Sequence, residues 1–137
     1  MANSAAVKRI AVLVTMLGAL VLVGNGLTFA GRTDPTAKVS KNGRVVRATG
    51  TLTCAAGERL FLRLTVTQPQ TASYAEGRTR ARCTGAELHW QVRALGRLRT
   101  RFAQGTAQAC ALGITRLNGH PTDAHQWCVD VTLGPAS

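Results

Sequence analysis

Four groupings of side chains in this sequence have the types and spacings that could do chemistry. The first is arginine. Arg78, Arg80 and Arg82 alternate with Thr79, Ala81 and Cys83, and Arg97, Arg99 and Arg101 crowd a nearby turn. Every-second spacing puts three side chains on one face of an extended strand. Guanidinium forks match phosphates and carboxylates, so the chemistry implied is anion binding. These six arginines are the candidate anion-binding residues. The second grouping is His120-Pro121-Thr122-Asp123-Ala124-His125, two imidazoles and a carboxylate within one short segment. Those are metal-ligand types. Asn118-Gly119 and Pro121 nevertheless mark a loop, where polar residues belong anyway. Asp123 therefore reads as a turn cap, and no metal site is assigned.

The third grouping is Cys54, Cys83, Cys110 and Cys128, with steps of 29, 27 and 18 residues between them. Zinc sites use closely spaced pairs, which are missing here. An even count in a small exported chain reads as two disulfides. Four cysteines allow three pairings, and the one expected joins sequence neighbours, Cys54–Cys83 and Cys110–Cys128. The fourth grouping would be a hydrolytic set, and it does not assemble. Beyond the N-terminal segment the serines are Ser40, Ser73 and Ser137, none in G-x-S-x-G. Bridged cysteines leave no thiol. The histidines are His89, His120 and His125, and the six acids form no recognisable glycosidase pair. A non-catalytic domain with no cofactor is expected.

These residues sit in a chain with an export layout. Lys8 and Arg9 precede the uncharged apolar run Ile10–Val23, and Thr28 and Ala30 are small residues ahead of a cut after Ala30. That is the pattern of a cleaved signal peptide over residues 1–30. Retained, the segment would be a membrane anchor, but a spanning helix wants ~20 apolar residues. Removing Lys8 and Arg9 from 17 basic and 6 acidic residues leaves a net charge of +9. A cationic exported domain is drawn to anionic polymers and membrane surfaces. The competing account is compositional. Only Lys8, Lys38 and Lys41 are lysine, in a chain rich in Ala, Gly, Val and Thr, so arginine serves wherever a soluble face needs charge.

The elements that must position these groups are strands. Residues 31–37 read as a flexible leader, and residues 38–137 as one domain. Asn42-Gly43 reads as a type I′ hairpin turn, which needs positive φ at both central residues. Gly50, within the next run, suggests a bulge or a close backbone approach. Leu60, Leu62, Leu64 and Val66 share one face of a strand ended by Pro69, and Phe61, Arg63, Thr65 and Thr67 share the other. Leu88, Trp90, Val92 and Ala94 alternate with polar residues, a run from Thr106 to Leu117 reaches a second Asn-Gly turn, and Trp127, Val129, Val131 and Leu133 line a last strand. On that alternation Cys128 falls opposite Trp127 and Val129, so its bridge lies on the outer face or a bulge intervenes. About seven short strands with turns between them predict an all-β domain, an immunoglobulin-like antiparallel β-sandwich stapled by two disulfides. A Trp soon after the first Cys, as in variable domains, is absent, since Trp90 comes well after Cys54.

From Thr51 to Leu133 the chain resembles a group of small exported actinomycete proteins of unknown function. The residues that carry the likeness are Leu52-Thr53-Cys54, Val66-Thr67-Gln68, Cys83-Thr84-Gly85, Trp90, Phe102, Gly105, Thr122-Asp123, Trp127 and Val131-Thr132-Leu133. The resemblance implies a sandwich fold and export and supplies no activity. The function expected is a secreted, envelope-associated binding module whose cationic face takes an anionic cell-envelope polymer or a partner protein. An alternative is a secreted inhibitor or antagonist acting through the segment Gln68–Tyr74. Nucleic acid is not an expected partner, because the few aromatics include Trp90 and Trp127, which read as core, and membrane contact is expected only through the signal segment before cleavage.

Overall fold

The computed structural model describes residues 29–97 and 99–136. The signal-peptide reading therefore lies, except for its last two residues, outside the described part. The strands are β1 (Ala30–Thr33), β2 (Thr36–Val39), β3 (Val45–Thr53), β4 (Arg59–Gln68), β5 (Ser73–Arg82), β6 (Glu87–Gly96), β7 (Gly105–Leu117) and β8 (His120–Pro135). One 3-10 turn at Pro69–Thr71 is the only helical element among the described residues.

Alternation does what period-two patterning requires. In β4, Leu60, Leu62, Leu64 and Val66 are buried while Arg59 and Arg63 are exposed. In β7, Ala107, Ala109 and Ala111 point inward. These side chains meet Val46, Ala48, Leu52, Trp90, Val92, Ala94, Val131 and Leu133 in one core. Trp90 donates its indole N–H to the Thr51 carbonyl at 3.1 Å. Gly50, paired with Trp90, has no room for a Cβ, because the Arg32 carbonyl and the Trp90 ring already occupy that space. The expected close approach at this glycine is therefore present.

The sheet does not form the expected immunoglobulin-like sandwich. β3 pairs with β6 along its whole length, from Val45↔Leu95 to Thr53↔Glu87. β2 pairs in parallel with β8, from Thr36↔Thr132 to Val39↔Pro135. Those two ladders join the ends of one sheet into a closed barrel. β1 and β2 follow one another along the same edge of β3, so the circuit has seven positions. Inward and outward residues alternate identically in a sandwich and in a barrel. Only the pairing of the edges separates the two, and closure removes edges altogether.

The segment expected as a flexible leader is part of this circuit. Gly31–Thr33 pairs with β3, and Thr36 and Ala37 pair with β8. Phe29, which a cut after Ala30 would remove, packs against the core and lies over Gly113. Of the two Asn-Gly turns, Asn118 (φ 51°) and Gly119 (φ 81°) carry the two positive φ values of a type I′ hairpin joining β7 to β8. At Asn42-Gly43 only Gly43 is left-handed. There the Ser40 hydroxyl and the Asn42 carboxamide accept from the Arg44 N–H, which widens the connection beyond two residues.

Both expected disulfides form. Cys54 and Cys83 are buried at one end of the barrel. Cys110 faces Cys128 directly across β7 and β8, on the outer side, and the register shift lies elsewhere, at Thr115/Arg116, so no bulge intervenes here. The opposite end is closed by the β6–β7 connection. Phe102 and Thr100 are buried there, and the Gln68 side chain is held in that loop by Ala103 and Thr106.

Candidate anion-binding face

Register decides which outward side chains meet. β4 lies between β5 and β7, with Arg59 opposite both Arg82 and Arg116, Phe61 opposite Arg80 and Ile114, and Arg63 opposite Arg78 and Leu112. Three rows thus cross the outer wall. The first is all arginine, and the next two set arginine against apolar side chains. All six arginines are exposed, while Phe61, Leu112 and Ile114 are half-buried. The guanidinium carbons of Arg116 and Arg80 lie 5.2 Å and 6.0 Å from the Phe61 ring centre, within cation–π range. An open groove of about 750 Å³ runs over this centre between Arg63, Arg78 and Arg80.

Among the described residues the ion pairs of this wall all go to one acid, at one edge. The next row places Glu76 opposite Thr65. Glu76 accepts from Arg63 at 3.1 Å, Arg78 at 3.3 Å and Arg97 at 3.2 Å, and its side chain is 10% exposed. Burial pushes the Glu76 carboxyl up, but Arg63, Arg78 and Arg97 together outweigh it and hold it below the usual carboxylate range. The hydrogen bond and charge of Glu76 raise Arg63 in turn. Among the described residues no carboxylate lies within ion-pair distance of Arg59, Arg80, Arg82 or Arg116. Like charges directly opposite across strands are destabilising. The wall therefore holds an uncompensated cationic field around an apolar centre, and such an arrangement favours an anion.

Of the six arginines expected from sequence, the structure brings Arg78, Arg80 and Arg82 onto this wall and links Arg97 to it through Glu76. Arg99 and Arg101 remain on the β6–β7 connection, exposed, with the Arg101 N–H donating to Ser73. Arg59, Arg63, Arg116 and the apolar trio were missed as site members. Sequence alternation places Arg63 and Phe61 outward, but only the pairing of β4 with its two neighbours carries them to the others. A second row, Lys38–Arg47–Arg93, crosses β2, β3 and β6. The groove beside it is lined by Thr36, Thr49, Gln91 and Thr132 and has no aromatic.

The histidine segment is strand, and it is engaged locally. His125 stacks on Trp127 at 5.6 Å and meets Phe29 at 5.9 Å, while Asp123 accepts from the Ala124 N–H at 2.8 Å. The Gln68–Tyr74 segment is a short, tied-down turn. Thr71 bonds Gln68 and Ser73, so no extended loop projects there. No protein-family model matches the chain, and no curated protein is significantly similar to it.

Proposed function

We propose that this chain is an exported, non-catalytic binding domain that holds an anionic component of the cell envelope on the outer wall of β5, β4 and β7. The observation that carries this reading is the register of arginine against arginine, Arg82–Arg59–Arg116 and Arg63–Arg78, with Glu76 the one carboxylate ion-paired to the wall among the described residues. Such a face is at its lowest free energy with anions bound. Two disulfides suit an oxidising compartment. The resemblance to exported actinomycete proteins points the same way and adds no activity.

The test compares equal changes of charge on two walls. One variant carries Arg78→Glu, Arg80→Glu and Arg82→Glu, and the control carries Lys41→Glu, Arg47→Glu and Arg93→Glu. Retention on immobilised inorganic polyphosphate is read as the salt needed for elution, with folding checked by circular dichroism. The first variant should elute at far lower salt than the control. Equal losses would show that net charge alone governs retention, and the compositional account of the arginines would stand.

A further inference from the structure

The anion-binding wall has a part that charge alone leaves unused. Phe61, Leu112 and Ile114 lie side by side at its centre, on three adjacent outward positions of β4 and β7, and none is fully covered. The arginines stand around them. Arg80 and Arg116 lay their guanidiniums over the Phe61 ring, and Arg59 and Arg82 close one side. Leu117, at the hairpin tip next to Arg116, is 44% exposed. From Arg78 to Arg82 the wall runs ~14 Å along the strand, and β5 to β7 spans ~10 Å across it. That is an amphipathic area with cations around, and partly over, an apolar middle.

We infer that the ligand of this wall is an anionic lipid surface, a deepening that rests on the anion-binding reading above. A soluble polyanion would satisfy the guanidiniums and leave Phe61, Leu112 and Ile114 in water. An anionic bilayer supplies both halves. Lipid phosphates pair with guanidinium forks. The boundary between headgroups and acyl chains accepts an aromatic ring and two aliphatic side chains. Long arginine stems let the charged ends reach the headgroups while the centre of the face sinks below them. Glu76 marks the edge of the contact. It sits one row beyond the apolar centre and draws Arg63, Arg78 and Arg97 toward that side.

Vesicle co-sedimentation of the exported protein decides this, with polyphosphate retention measured in parallel. The probes are vesicles of phosphatidylcholine alone and vesicles of phosphatidylcholine with phosphatidylglycerol. Wild type should sediment with the second and not the first. Each arginine at an anionic surface is worth roughly fivefold in partition, so Arg78→Glu, Arg80→Glu and Arg82→Glu together should weaken it by about 100-fold or more. The decisive variant changes no charge. Phe61→Ser with Ile114→Ser should lower vesicle partition by about tenfold, well beyond any change in polyphosphate retention from the loss of the ring under Arg80 and Arg116, with the fold intact by circular dichroism. If this variant binds anionic vesicles as well as wild type, the lipid proposal is wrong. Retention on polyphosphate without vesicle binding would also overturn it while leaving the anion-binding reading standing. Failure to bind either probe would remove both.

Discussion

Gln68 is a buried polar residue on which one end of the barrel depends, and its removal has a calculable cost. The side chain is 2% exposed. Its Nε2 donates to the Ala103 and Thr106 carbonyls at 2.9 Å and 3.2 Å, and its Oε1 accepts from the Ala103 N–H at 2.9 Å and the Thr71 hydroxyl at 2.8 Å. Gln68→Leu keeps the volume and breaks all four bonds. At about 1 kcal/mol net for each bond the ceiling is ~4 kcal/mol. Ala103 and Thr106 are exposed residues, so water recovers part of the loss. The expected destabilisation is therefore about 2–3 kcal/mol, a fall in Tm on the order of 10 °C for a domain of this size. Gln68→Glu sharpens the test. It points a carboxylate at two carbonyls, so its folded pKa must rise above the unfolded value of ~4.3. Stability in that variant is then fully present below ~4.3 and lost as pH rises through the folded pKa. The assay is thermal unfolding followed by circular dichroism between acid and neutral pH, with amide exchange read on residues 99–104. A Gln68→Leu variant within about 0.5 kcal/mol of wild type, inside the range of ordinary surface changes, would show that this network does not hold the barrel end.

Other changes have equally definite outcomes. Under mild reductant Cys110–Cys128, with Cys128 exposed, should open before the buried Cys54–Cys83 pair, as mass mapping of alkylated thiols would show. Gly50→Ala should cost about 1–3 kcal/mol in denaturant unfolding, because the added methyl meets the Arg32 carbonyl and the Trp90 ring. Glu76→Gln should raise the salt needed to elute the protein from an anionic matrix, since it releases Arg63, Arg78 and Arg97. The Glu76 carboxyl is held low in the folded state. Its contribution to stability is thus present above the ordinary carboxylate range and lost as pH falls through the folded pKa. The Gln variant should accordingly lose less stability on acidification than wild type.

How much of this was legible in the residues depends on the distance over which the signal acts. Strand positions and inward faces follow from neighbours two apart, and Leu60 to Val66, Leu88 to Ala94 and Trp127 to Leu133 were readable on that basis. The outer placement of Cys128 was one of the two outcomes that the same alternation allowed. Asn118-Gly119 was readable because a two-residue turn sets its own backbone angles. Asn42-Gly43 looked identical, but Ser40 and Asn42 side chains compete for the Arg44 N–H and enlarge the loop. Barrel closure was hidden, because the β3–β6 and β2–β8 ladders join segments far apart in the chain. The leader was misread for the same reason. Gly31 to Ala37 carries no strong strand pattern of its own and is ordered by β3 and β8. On the site, alternation gave Arg78, Arg80 and Arg82 one face, but no local rule places Arg59 between Arg82 and Arg116.

That register bears on the compositional account of the arginines. Bias toward arginine explains why so few cations are lysine. It does not explain their arrangement. Charges used merely to keep an outer wall soluble are best interspersed with the opposite sign, because like charges facing one another across strands cost stability. Here the acids mostly bond elsewhere. Asp34 bonds Thr49 on another wall, while Glu58, next to Arg59 in the chain, bonds Thr122, and Asp123 caps Ala124, and neither of these two forms an ion pair with the arginine rows among the described residues. Among the described residues Glu76 alone is ion-paired with the rows, and it is already shared among three guanidiniums. The middle of the wall also carries Phe61, Leu112 and Ile114, the side chains a purely solubilising face would avoid. The Lys38–Arg47–Arg93 row shows what the bias yields without that centre, cations lined by threonine and glutamine. On the proposed reading, the closed barrel holds these like charges together on β5, β4 and β7, and a bound anion would relieve their repulsion.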